Sequence, residues 1–141
     1  MSNVLFPRKE VLQSLYELTS DITPHRFITT RPNATGEPMQ EFLTISLYGI
    51  DNVADTYQLT RGRITVFARD VQGGLEDTLR LEQLQEEVTA LFPIRTPLYL
   101  ATRPILLPAG SDGAGFHSLI IQFNIRIHKD FNIHPTEKLT L

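Results

Sequence analysis

Apolar residues recur along this chain with two different periods, and the points where the period changes mark out its elements. Ile64, Val66 and Ala68 alternate with Arg63, Thr65 and Phe67, the two-residue repeat of a strand. At Gly73-Gly74 the repeat breaks, and beyond it apolar positions fall about 3.6 residues apart, as on one side of a helix. Phe116 to His128 carries the cleanest alternation. Leu119, Ile121, Phe123, Ile125 and Ile127 share one face, and Ser118, Gln122, Asn124 and Arg126 the other, with Ile120 the exception. Such a strand buries one face only.

The same reading extends to the rest of the chain. Val11, Leu12, Leu15, Tyr16 and Leu18 recur at helical spacing behind Pro7, whose fixed φ suits a first helical position, and predict a helix over about 7–20. Thr23-Pro24 stops it. Arg26 to Thr30 reads as a short strand, and Arg31 to Pro38, with two prolines and a glycine, as an exposed loop. Glu41 to Tyr48 alternates Leu43, Ile45 and Leu47 against Thr44 and Ser46. Phe42 and Tyr48 place aromatics on the second face, which predicts a central or half-covered strand. Gly49 to Asp55 carries turn formers, and the chain returns as a strand over about Tyr57 to Arg69, antiparallel to the first. Gly62, inside Arg61-Gly62-Arg63, predicts a bulge.

A second helix is expected over about 75–92, with Leu75, Leu79, Leu84, Val88 and Leu91 as its apolar stripe and Leu81 at the margin. Its opposite face holds Glu76, Arg80, Gln83, Glu86 and Glu87, and the spacing of Glu76 and Arg80 suits an ion pair. Pro93 ends it. Leu98 to Leu107, accompanied by Pro97, Pro104 and Pro108, reads as an edge or irregular strand because proline cannot donate to a ladder. Ala109 to Gly115 is glycine-rich and predicts a flexible loop. Residues 129–141 lose the alternation and read as a C-terminal tail. Together these elements predict an α+β fold, an antiparallel sheet of four or more strands packed on one face with two main α-helices, in a single domain over 1–128.

With 141 residues the chain fits one domain and one core. Thirteen basic against sixteen acidic residues leave a formal charge of −3, which offers no global attraction to nucleic acid or an anionic membrane. No sequence-specific nucleic-acid partner and no membrane partner are expected. The sequence has no cysteine, so disulfides, thiolate metal sites and cysteine nucleophiles are excluded, and the composition fits the reducing cytoplasm. The start, Met1 to Lys9, lacks the pattern of a secretory signal, and the glycosylation match at Asn33-Ala34-Thr35 is read as chance.

Candidate chemistry is sparse. His25, His117, His128 and His134 lack the spacing of a metal site and predict no cofactor. Ser111, in Ala109-Gly110-Ser111-Asp112-Gly113, lacks the strand-to-helix turn that holds a nucleophilic serine proud of a sheet. Gly73-Gly74 lacks the spaced glycines of a phosphate loop, and Glu76 and Asp77 would repel an anion there. Glu86-Glu87 and Asp51 with Asp55 read as solvated surface charge. No enzymatic activity is expected. Arg61, Arg63 and Arg69 form the one local basic concentration, with Arg61 and Arg63 projecting to the same side of a strand. Solubility accounts for them, and a subunit interface is their best functional use, since arginine is enriched at such contacts.

Over about residues 7–128, the element order and the segment Ile64-Thr65-Val66-Phe67-Ala68-Arg69-Asp70-Val71-Gln72-Gly73-Gly74, followed by Leu81-Glu82-Gln83-Leu84-Gln85-Glu86-Glu87-Val88, resemble phage tail terminator (tail completion) proteins. That resemblance implies an α+β domain that assembles as a hexameric ring on the head-proximal end of the finished tail tube. There the ring would end tube polymerisation and present a surface for head attachment. It implies the tail tube protein and a head-tail connector protein as partners, and a place in the virion after synthesis in the host cytoplasm. The family's residue roles are not carried over, because this chain's acidic balance comes with no obvious basic loop. Another neck or head-tail connector protein is the alternative, and a small ligand-binding domain or enzyme a further one.

Overall fold

The computed structural model describes residues 7–30, 32, 39–53 and 57–128, with the side chains of 50–53 and 57 excepted. The expected loop from Arg31 to Pro38, Pro32 apart, and the 129–141 tail lie outside these. In chain order the elements are α1 (Arg8–Leu18), β1 (Arg26–Ile28), β2 (Glu41–Val53), β3 (Tyr57–Arg69), α2 (Thr78–Thr89), β4 (Ile94–Arg95), β5 (Tyr99–Ser111) and β6 (Phe116–His128). They form one six-stranded sheet ordered β1-β2-β3-β6-β5-β4. All neighbours are antiparallel except β1, which joins β2 in parallel. The α+β class and the sheet of four or more strands therefore hold, while the sheet is mixed rather than purely antiparallel.

Both helices lie on one face. From α1, Val11, Leu12 and Leu15 enter the core, and from α2, Leu81, Leu84 and Val88. They meet Leu43 and Ile45 of β2, Ile64 and Val66 of β3, and Ile121, Phe123, Ile125 and Ile127 of β6. The alternation of β3 and β6 predicts this face correctly. Among the described residues no helix lies over the opposite face, and at one end of it Met39, Phe42, Phe67 and Phe116 form a second, smaller cluster with Phe27 packed against it. Phe42 stacks on Phe67 at 4.3 Å between ring centroids and meets Phe116 edge-on at 5.1 Å.

Four local expectations are corrected. First, α2 begins at Thr78, not Leu75. Gly73 and Gly74 adopt φ of 84° and 75°, which turns the chain so that Val71 and Leu75 pair as a bridge. Asp77 then caps the helix, accepting from the Arg80 N–H at 3.2 Å. With that start, Leu81 sits at the centre of the buried stripe, and Leu75 and Leu79 are 65% and 67% exposed. Arg80 pairs with Glu41 on β2 at 2.6 Å rather than with Glu76.

Second, Gly62 is not bulged. It keeps regular pairing with Leu47 and Phe123, and a Cβ there would lie 2.6 Å from the Phe123 ring. The glycine admits a close approach. The bulge falls opposite, where Gly49 adopts φ 70° and the register shifts between Tyr48 and Ile50. Third, Gly49 to Val53, expected to turn, belong to β2, which passes through the bulge and continues to Val53; the rest of that expected turn, 54–55, lies outside the described residues. Fourth, the expected loop from Ala109 to Gly115 is mostly hairpin. β5 runs to Ser111, and Asp112 Oδ1 accepts from the N–H groups of Ala114 and Phe116 at 2.7 and 3.1 Å to close the turn. The irregularity expected of β5 is present: its register shifts between Thr102 and Ile105, around Pro104, and again between Pro108 and Gly110.

Candidate functional site: the open face of the sheet

Alternation on β3 sends its odd-numbered side chains away from the helices, so Arg61, Arg63 and Arg69 all belong to the open face. The structure uses them differently. Arg69 is committed to its own subunit: its Nε and Nη2 donate to the Met39 carbonyl at 3.0 and 2.8 Å, and its guanidinium lies 4.6 Å from the centroid of the Phe116 ring. It closes the aromatic cluster at one end of the face. It lies eight residue steps along β3 from Arg61, roughly 26 Å, so the three arginines do not form one site.

Arg63 and Arg61 are brought together. Arg63 lies over the Tyr48 ring at 4.5 Å and donates through Nε to Gln122 Oε1 at 3.2 Å. The Tyr48 hydroxyl donates to the same oxygen. This holds Arg63 half-buried across β2, β3 and β6. Arg61, one row further along, is exposed and has no hydrogen bond or ion pair among the described residues. It lines a shallow notch of about 200 Å³ with Tyr48, Gly49, Leu59, Thr60 and Asn124. The bulge at Gly49 accompanies that notch, and Thr60 Oγ1 ties its floor by donating to the Tyr48 carbonyl at 3.0 Å.

Arg126 of β6 is exposed one row beyond, opposite Leu59. Sequence reasoning placed it only among the polar residues of a strand. The signal that would have found it is the strand register, since Arg61 faces Asn124 across β3 and β6. With Arg126, and with Arg95 of β4 in register through Leu100, the face carries five arginines and, among the described strand side chains, no carboxylate. Ile120, Leu107 and Ile105 supply apolar surface beside them, and Ile105 is 50% exposed.

The residues weighed for catalysis fall elsewhere. His117 Nδ1 lies 2.5 Å from Asp70 Oδ1, and Ser111 is opposite His117 across β5 and β6. No hydrogen bond joins Ser111 to His117 among the described residues, and the Ser111 hydroxyl instead accepts from the Gly113 N–H at 3.1 Å. His25 and His128 lie apart from this pair, and His134 lies outside the described residues. Among the described residues no group of histidines and carboxylates has the arrangement of a metal site, and no helix is long and apolar enough to cross a membrane.

The fold is similar to that of a chain in the virion of a native gene transfer agent (GTA) particle. The match has a TM-score of 0.53 and 13% identity, and covers 88% of this chain and 99% of that one. The likeness is one of fold. No protein-family model and no curated protein matches the chain.

Proposed function

We propose that this chain is a structural protein of a phage-type particle, and that it acts as a tail terminator. Copies would close into a ring on the head-proximal end of the tail tube, end its growth and present a surface to the head. The observation that carries this reading is the near end-to-end correspondence of fold with a virion chain, 88% of one covering 99% of the other. Capping needs no chemistry. A ring seated on a helical tube offers no further copy of the tube's docking surface, and growth ends for that reason alone. On this reading the protein is not an enzyme, and Ser111, Asp112 and His117 serve the hairpin and its junction with the end of β3.

The test is made on particles. With the gene removed, tails should lose length control or fail to join heads, and electron microscopy should find the protein as one ring at the head-proximal end of normal tails. A ring at the capsid portal, with tails of normal length in its absence, would make it a connector instead. The Ser111→Ala and His117→Ala proteins should support particle assembly as well as their folding allows. Loss of assembly by a fully folded Ser111→Ala protein would reopen catalysis.

A further inference from the structure

The two layers of this domain expose unlike charges, and neither layer can neutralise the other because they face opposite ways. On the sheet side Arg61 is exposed and has no hydrogen bond or ion pair among the described residues. On the helix side Glu82 and Glu86 stand one turn apart on the solvent face of α2, both exposed and both without a hydrogen bond or ion pair among the described residues. Like charges four apart on a helix repel. The one cation of α2, Arg80, is turned to Glu41 at 2.6 Å and reaches Glu87 at 3.9 Å, so it does not relieve them. Leu79, 67% exposed, continues the same outward stripe.

Resting on the ring reading above, the geometry points to a head-to-tail contact in which the solvent face of α2 in one copy seats on the open sheet face of the next. Glu82 and Glu86 would meet Arg61 at its notch, and Leu79 would cover apolar surface near Ile120. Each sheet would then lie between its own helices and its neighbour's α2, which accounts for a face that is part apolar yet not covered by the described residues of the single chain. The contact joins two different surfaces, so its repetition builds a head-to-tail series rather than a two-fold dimer, and that series closes into a ring when the rotation per step divides the circle. Charge complementarity also sets its orientation and suppresses the reversed approach, sheet against sheet, where arginines would oppose arginines.

The chain lacks cysteine, which permits a direct test. In Arg61→Cys/Glu82→Cys the two thiols lie on opposite sides of a subunit and cannot join within it. Mild oxidation of the concentrated protein should therefore give a ladder of disulfide-linked multimers, whereas Arg61→Cys/Glu17→Cys, which uses α1 instead, should give none beyond background. Charge reversal supplies the second arm. Arg61→Glu alone, and Glu82→Arg/Glu86→Arg alone, should each weaken self-association or particle assembly at least about tenfold, and the combined triple variant should recover most of that loss, as expected for charged pairs in contact. All three should melt like the wild type, since the altered side chains are exposed.

Equal ladders from the two cysteine pairs, or a triple variant no better than its worse parent, would overturn this contact. If rings form on tails and yet neither arm responds, the contact is wrong and the capping reading stands. If the ladder forms while deletion leaves tails and heads normally joined, the contact stands and the capping reading falls.

Discussion

The two faces of the sheet are built from the same long strands, yet they are held together by different physics. On the helix side, Ile64, Val66, Ile121 and Ile125 are fully buried and interlock with leucines and valines from α1 and α2, so stability there comes from aliphatic burial. On the open side, the buried apolar side chains among the described residues gather in the phenylalanine cluster at one end. Beyond it come Tyr48, Arg63 and Gln122, joined by polar and cation–π contacts, and then the exposed Arg61. The gradient teaches that the open face is two regions, an anchored end and an available end. Arg69 marks the first and Arg61 the second.

The contrast is broken most severely by charging the helix side. Ile125→Asp buries a carboxylate where the native side chain has no exposure, and it should cost at least ~4 kcal/mol, enough to unfold a marginal domain. Ile105→Asp, on the open side, should change stability by no more than about 0.5 kcal/mol. Urea melts of the two variants measure the difference between the faces directly. Similar melts would mean that the faces had been assigned the wrong way round.

Phe42→Ala tests the anchored end. Phe42 is 1% exposed and contacts three other rings, at centroid distances of 4.3 Å to Phe67, 5.1 Å to Phe116 and 6.1 Å to Phe27. Its loss should cost about 3–5 kcal/mol, as for other buried phenylalanines. A loss below about 1 kcal/mol would show that this cluster is not a core in its own right.

Gly62→Ala sharpens the comparison from within a single strand. Its new methyl would enter the helix side against the Phe123 ring at 2.6 Å and Ile125 Cδ1 at 3.1 Å. The overpacking should cost about 1–3 kcal/mol. A neutral or stabilising result, read from the thermal midpoint, would show that the ring yields freely and that close approach is not what glycine provides there.

Much of the helix side was legible in the sequence because one-sided burial imprints alternation. Ile121 to Ile127, Ile64 to Ala68 and Val11 to Leu15 all declare their faces in this way. The sequence alone puts α2 in the wrong phase because Leu75 and Leu79 fit a helical stripe in spacing alone. What moved the stripe to Leu81, Leu84 and Val88 was the turn at Gly73 and Gly74, whose geometry is set by backbone conformation and not by hydropathy. The parallel pairing of β1 was hidden for a similar reason, since three residues have no room for a pattern that tells parallel from antiparallel. On the open face, parity alone put Arg61, Arg63 and Arg69 on one side. It could not reveal that Met39 and Phe116 engage Arg69, because those contacts join residues distant in the chain.

The smallest expected effect is a pH response from the helix side, where Tyr99 is fully buried with its hydroxyl 2.8 Å from Ser14 Oγ. Burial pushes the phenol above the usual tyrosine value near 10, and the Ser14 hydrogen bond offsets that only in part. The unfolded chain therefore loses this proton first as pH rises. Stability from Tyr99 is complete below about pH 10 and declines above it, by at most ~1.4 kcal/mol per pH unit, until the folded phenol also ionises. Tyr99→Phe should remove this part of the alkaline slope and lower stability at pH 7 by about 1 kcal/mol through the lost hydrogen bond. The check is a series of urea melts between pH 7 and 11 on both proteins. Parallel curves across the whole range would mean that the phenol titrates alike in the folded and unfolded chains, and so that it is not shut inside the helix-covered core.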